Sequence, residues 1–210
     1  MTIQNWTLAP GRAVVVCDSL VTDVDTDEPT NFMSKVWLVP HLSMMVAVKN
    51  WAHPALALYM ELLGLGHIQS PDDLLQFAPA LLRGAAASQE RHAHHAAECL
   101  VVVFGFDFAQ SCVFGIQFDG RHGFAPQVLG ETEMLMPNAP GLPTDDWERG
   151  LAQQAYDLGL PPDDRDNIGG PLICAALVAN GAEPLLFVRR LGVLPEWRAD
   201  RLGQHVGAKP

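Results

Sequence analysis

Ala9-Pro10-Gly11-Arg12, followed by Ala13-Val14-Val15-Val16-Cys17-Asp18, decides how the chain begins to fold. Pro10 presets φ and Gly11 accepts φ > 0, so the first four residues make a turn. The β-branched run behind them ends on an acid and reads as a strand. Thr2–Leu8, holding Ile3, Trp6 and Thr7, supplies the antiparallel partner. Strands apolar at successive positions are buried on both faces, so a sheet built from them needs cover on two sides.

Working outward, Asp23–Asn31 reads as an acidic loop, and Ser34–Val39 with Met44–Lys49 as a second hairpin around Pro40-His41-Leu42-Ser43. Two helices follow. Pro54 suits a first helical position, Ala55–Leu63 has apolar residues at helical spacing, and Gly64 and Gly66 end the run. Ser70-Pro71-Asp72-Asp73 combines a cap, a first-turn proline and acids at the positive end of the helix dipole. That helix is expected to run to about Arg91, with a kink or break at Pro79, which lacks an N–H. Glu98–Phe106, Ser111–Phe118 and Gly123–Leu129 read as strands. Glu131–Pro143 reads as a loop, Asp145–Leu158 as a helix capped by Thr144, and Leu172–Ala179 with Pro184–Leu191 as a last hairpin. Two antiparallel sheets stacked on each other, with helices outside each, satisfy the burial these runs demand. One domain is expected over residues 1–194, with a polar tail over 195–210.

Composition narrows the function classes. The chain has 210 residues, 24 acids against 13 bases and a net charge of −11. Nucleic-acid binding needs clustered Lys and Arg, which this balance does not supply. The longest apolar runs, Cys99–Phe106 and Leu172–Ala179, are far shorter than the roughly 20 residues of a membrane helix. Met1–Gln4 lacks the basic start of a secretory signal. Cys17, Cys99, Cys112 and Cys174 are scattered in or beside apolar runs and read as reduced core thiols of a cytoplasmic protein. Lysine is scarce: only Lys35, Lys49 and Lys209. A lysine opening an apolar hairpin, as Lys35 does, is a poor candidate for random surface charge.

This order of elements resembles the four-layer αββα fold of the N-terminal nucleophile hydrolases, an α+β sandwich. The nearest likeness is to proteasome β-type subunits and the bacterial proteasome-like protease subunit. Four stretches carry it. Thr2 becomes the first residue if Met1 is removed. Val14-Val15-Val16-Cys17-Asp18-Ser19 looks like the family's second strand ending in Asp. Ser34-Lys35-Val36-Trp37 looks like the segment bearing the family lysine. Arg165-Asp166-Asn167-Ile168-Gly169-Gly170 looks like the Asp-containing turn before the penultimate strand.

The resemblance implies catalysis by Thr2, Asp18, Lys35 and Asp166. A threonine hydroxyl needs a base, and a chain-terminal Thr carries one in its α-amine, with a pKa of about 8. The Lys35 ammonium would depress that pKa further, and Asp18 would hold Lys35 in place. Asp166 would orient the amine. A backbone N–H near Lys49 or Asn50 could stabilise an oxyanion. The substrate would be a peptide or small amide, without cofactor or metal, and the protein a homo-oligomer.

Three departures favour an alternative, a non-catalytic assembly or binding module on the same fold. Gly130-Glu131-Thr132-Glu133 replaces a Gly-Ser-rich segment. Gly169 stands where a serine usually follows the Asp. One helix, not two, precedes the last hairpin.

Other signals are weaker. His92, His94 and His95 in Arg91-His92-Ala93-His94-His95 suggest a metal site, but a solvated helix end reads better, because no Cys or acid pair stands at diagnostic spacing. Asp23-Val24-Asp25-Thr26-Asp27-Glu28 lacks the Gly and Glu of a Ca²⁺ loop. Trp51, Trp147 and Trp197 read as core or interface anchors.

Overall fold

The computed structural model describes residues 4–23, 29–64, 66–134 and 170–193. β1 (Gln4–Ala9) and β2 (Arg12–Cys17) form the first hairpin, in register from Gln4 opposite Cys17 to Ala9 opposite Arg12. Gly11 turns the chain with φ of 73°, a value that costs glycine least. β3 (Leu20–Thr22) and β4 (Pro29–Phe32) then pair as a small separate sheet flanking and partly overlapping the loop read over Asp23–Asn31, and neither strand is foreseen by the sequence pattern. Met33 N–H donates to Ser19 O at 2.7 Å, and Thr30 Oγ1 donates to Val21 O at 3.1 Å, so local backbone pairing overrides weak strand propensity.

β5 (Val36–Val39) and β6 (Met44–Lys49) form the second hairpin. Helices α1 (His53–Leu63) and α2 (Pro71–Ser88) follow. A 3-10 segment, Glu90–Glu98, leads into β7 (Leu100–Asp107), β8 (Cys112–Asp119) and β9 (Ala125–Leu129). β10 (Thr132–Met134) lies inside what reads in sequence as a loop. β11 (Pro171–Asn180) and β12 (Glu183–Val193) close the described chain as the expected last hairpin.

Two five-stranded antiparallel sheets result, ordered β10-β1-β2-β11-β12 and β5-β6-β7-β8-β9. Strand alternation assigns each side chain to a layer. Met45 and Ala47 of β6 and Val102 and Phe104 of β7 meet Trp6, Val15, Ala175 and Leu177 of the other sheet. Trp6 and Phe104 touch edge to face at 5.4 Å between ring centroids. The alternate residues, Met44, Val46, Val48, Val101 and Val103, face Leu58, Leu62, Leu74 and Leu82 of the two helices. Val14, Val16, Cys174 and Ala176 point away from the second sheet and are also buried, so both faces of the first sheet exclude water. The described residues thus establish an α+β protein, with helices on one face of two stacked sheets. The fourth layer, expected from Asp145–Leu158, lies outside the described residues.

Two helix expectations are corrected. α2 passes through Pro79 without a break and ends at Ser88 rather than near Arg91. Pro79 is buried beside Ala78 and Leu82, and that packing offsets the backbone bond proline cannot donate. The run beyond it tightens to 3-10 geometry, carrying the three histidines. Its close approach to the β8–β9 turn fixes one glycine: a Cβ on Gly120 would fall 1.6 Å from Ala96 O.

The start of α2 is a reciprocal cap. Asp73 N–H donates to Ser70 Oγ at 3.2 Å, Ser70 O–H donates to Asp73 Oδ2 at 2.7 Å, and Gln69 N–H donates to the same oxygen at 3.0 Å. The Ser70 hydroxyl first, and then the Gln69 N–H, hold the Asp73 carboxyl below its ordinary value. A depressed carboxylate stabilises the fold above the unfolded-state pKa and loses that contribution as pH falls through the folded one. Ser70→Ala is therefore expected to lower stability by about 1 kcal/mol in urea denaturation at neutral pH. Its deficit should shrink as the medium is acidified below about pH 4, because protonated Asp73 no longer exploits the cap.

Candidate functional site

β2 delivers Asp18 just past its last residue, and Lys35 stands immediately before β5. The two strands belong to opposite sheets, so an attraction between these side chains ties the layers at one end. Lys35 Nζ donates to Asp18 Oδ1 at 2.8 Å. Asp18 is 0% exposed and Lys35 8%. The lysine backbone is fixed as well: Val48 N–H donates to Lys35 O at 2.9 Å, and Ser34 Oγ hydrogen-bonds both backbone groups of Val36.

Several chain segments meet around this pair. β1 begins at Gln4, opposite Cys17, the residue before Asp18. β11 places Ile173 opposite Cys17 from the other side. Gly170, which precedes β11, has φ of 76°, and a Cβ there would lie 2.8 Å from Ser19 Oγ and 2.4 Å from the Phe32 ring. Gly170 thus abuts the residue that follows Asp18. Lys49 and Asn50 follow the Val48–Lys35 hydrogen bond at the same end of the second sheet. Asn50 is left-handed, with φ of 63°, and its Nδ2 donates to Glu98 O at 3.0 Å.

Of the four residues named from sequence, the structure therefore brings Asp18 and Lys35 together. Thr2 and Asp166 lie outside the described residues. Gln4 and Ser19 are neighbours that sequence reasoning gave no role, and Cys17 is one that it read only as a core thiol. No local signal marks Gln4, because β1 also carries the polar residues Asn5 and Thr7 and the burial of the amide depends on which face of the strand is turned inward.

Cys17 is the other nucleophile type beside the pair. Burial pushes its thiol up to about 12, the Asp18 carboxylate adds to the rise, and the Lys35 charge and backbone N–H oppose it. At neutral pH it is a protonated core thiol, not an attacking thiolate. Burial first, and then Cys17, raises the Cys174 thiol to about 12; burial and Asp119 do the same for Cys99. Cys112 departs from the core-thiol expectation, being only half-buried.

A second charged group stands where β6 and β8 end and β7 begins, with Lys49 opposite Leu100 and Leu100 opposite Asp119. Arg121 Nε and Nη2 grip both Asp119 oxygens, at 2.6–3.1 Å. Burial lowers the Lys49 pKa, the Arg121 charge lowers it further and Asp119 opposes. Because Arg121 N–H also donates to Asp119 Oδ1 at 2.8 Å, this arrangement is a turn clamp.

The histidines bring no chelate. His94 and His95 stack at 3.9 Å, and His92 lies 6.3 Å from His95. Among the described residues no group of three or more His, Cys, Asp or Glu side chains could hold a metal ion. No described helix is long and apolar enough to cross a membrane. Trp51 packs, partly buried, against the helix-side core; Trp147, Trp197 and residues 24–28 of the acidic run lie outside the described residues.

No protein-family model and no curated protein matches the sequence. In structure the chain is similar to a mutant of Anbu from Hyphomicrobium sp. strain MC1. The TM-score is 0.61 and the identity 12%, over 100% of this chain and 97% of that one. Anbu is a proteasome-like protein of a distinct family, so the fold is proteasome-like. This corrects the resemblance drawn from the motifs. Assignment to the N-terminal nucleophile hydrolases through the proteasome β-type subunits does not stand, because the likeness found is to Anbu. The physical reason is that four short stretches at strand ends record a shared element order, which recurs between families.

Two measurements check the site's electrostatics. With a thiol reagent at pH 8, the native protein should expose no more than one fast-reacting thiol, Cys112, and the denatured protein all four. Lys35→Met strands a buried carboxylate and should cost about 3–5 kcal/mol in chemical denaturation, whereas Lys35→Met with Asp18→Leu should recover most of that loss. Equal, additive losses would mean that the two charges do not depend on each other.

Proposed function

We propose that this protein hydrolyses an amide bond, in a peptide or a small amide, with the Thr2 hydroxyl as nucleophile after removal of Met1. The reading is carried by one observation: a lysine and an aspartate, paired at 2.8 Å and almost fully buried, stand at the end of the sandwich where β1 begins. A buried ion pair is a poor device for stability, since well-packed apolar residues usually do as well. A persistent positive charge close to a terminal amine is instead useful, because it keeps that amine neutral.

The steps balance as an acyl transfer. The Thr2 oxygen attacks the carbonyl carbon as its proton passes to the α-amine. A backbone N–H at Lys49 or Asn50 stabilises the oxyanion. The C–N bond breaks, the departing amine takes the proton, and an ester to Thr2 remains. Water, deprotonated by the same α-amine, then cleaves that ester and releases a carboxylic acid. Asp18 holds Lys35 in place, and Asp166 orients the amine. Assembly into a homo-oligomer belongs to the same proposal.

Gly169 and the segment Gly130-Glu131-Thr132-Glu133, without serines, favour a second reading, a non-catalytic assembly or binding module. The two readings separate in one experiment on protein made without an N-terminal tag. Intact mass should show loss of Met1, and a β-lactone or epoxyketone electrophile should add once per chain. Thr2→Ala should abolish the adduct, and Lys35→Met should slow its formation by 100-fold or more, about 2.7 kcal/mol of barrier. A retained Met1 sinks the hydrolase reading, because the amine is then acylated and cannot act as base.

A further inference from the structure

Gln4 is the polar side chain that the sandwich accommodates worst. Along β1, Trp6 and Leu8 face the second sheet, so Gln4 does too, and its cross-strand neighbour Cys17 belongs to the same inter-sheet core. Gln4 and Trp6 are both 0% exposed. Among the described residues, Gln4 Nε2, Gln4 Oε1 and Trp6 Nε1 have no hydrogen-bond partner. The carboxamide offers two donors and an acceptor oxygen with two lone pairs, and the indole offers one donor. Native proteins rarely leave such groups unmatched in their interior.

The unmet capacity is of both kinds. Two groups ask for an acceptor and one asks for a donor. Residues two apart on a strand are about 6.8 Å apart along it. Their side chains leave the same face of the strand as neighbours, so one small molecule bonded to both, with hydrogen bonds of about 2.9 Å, is enough to serve the pair. The occupant must therefore be small, and must both accept and donate. Water has that profile, and buried waters typically make about three such bonds. We infer that Gln4 and Trp6 hold an ordered water between the two sheets, at the start of β1 where Gln4 lies opposite Cys17. The site is independent of the proposed hydrolysis: it belongs to the first strand, whatever reaction the protein performs.

The water changes the role of Gln4. Without it, the amide is a defect, and an apolar side chain of similar volume would be an improvement. With it, the amide is one wall of a satisfied polar site that anchors the start of β1. The two cases give opposite signs on substitution. Gln4→Met keeps the chain length and removes both donor and acceptor. We expect it to lower the melting temperature of the full chain by about 2–4 °C. A higher melting temperature for Gln4→Met would overturn the inference. A crystal structure of the unaltered protein near 1.8 Å resolution gives a second reading that needs no variant. It should show one water-sized peak within hydrogen-bond distance of the Gln4 amide and of Trp6 Nε1. Flat density there, or density for a larger molecule, would also overturn it.

Discussion

The sheet β5-β6-β7-β8-β9 is apolar on both faces at its centre, and the rest of the architecture follows from the need to keep both faces dry. In β6, Met44, Val46 and Val48 face one way while Met45 and Ala47 face the other, and all five are buried. β7 repeats the arrangement with Val101 and Val103 against Val102 and Phe104. One face is closed by α1 and α2. The other is closed by the first sheet, whose own strands are apolar on both sides. Each buried aliphatic side chain contributes roughly 1.5–3 kcal/mol of transfer free energy. No single contact therefore decides the stacking; the period-two alternation of the strands does.

Against that apolar background the few buried polar groups stand out, and most of them gather at one end. Asp18, Lys35, Ser19 and Gln4 are all nearly or wholly buried there, near Cys17. Burying a charge costs several kcal/mol unless it is paired, and pairing restores little beyond that cost. A fold selected for stability alone would place apolar residues at these positions. The opposite choice concentrates electrostatic leverage where the two sheets meet, in a medium that screens charge less than water does. The same burial silences the Cys17 thiol, leaving the ion pair as the active electrostatic feature.

Legibility followed the strength of the local signal. The three hairpins could be read because each has a turn residue of defined φ between apolar runs: Gly11, the Pro40–Ser43 turn and Gly181. The cap at Ser70 was equally plain. The β3–β4 pair escaped notice because Leu20–Thr22 and Pro29–Phe32 are too short for a periodic signal, and their pairing depends on where neighbouring strands leave the chain. α2 was read too long, since its boundary depends on where the chain must turn back to reach β7. Lys35 was readable as a residue of interest from its placement at the start of an apolar hairpin, and Asp18 through the family resemblance. Gln4 was not, because its meaning depends on which face of β1 is turned inward.

The sequence alone determined the alternation of apolar residues, the turns between strands and the helix start, since each is a property of a few adjacent residues and their φ preferences. It therefore indicated the three antiparallel hairpins and the two helices between them, but not the short strands β3, β4 and β10. Only the tertiary structure decided which hairpins share a sheet, and that an aspartate and a lysine 17 residues apart meet at 2.8 Å inside the protein. It also decided that the amide of Gln4 is sealed between the sheets. The physical reason is that pairing across sheets and the burial of a charge depend on distances between segments remote in the chain, which local propensity does not encode.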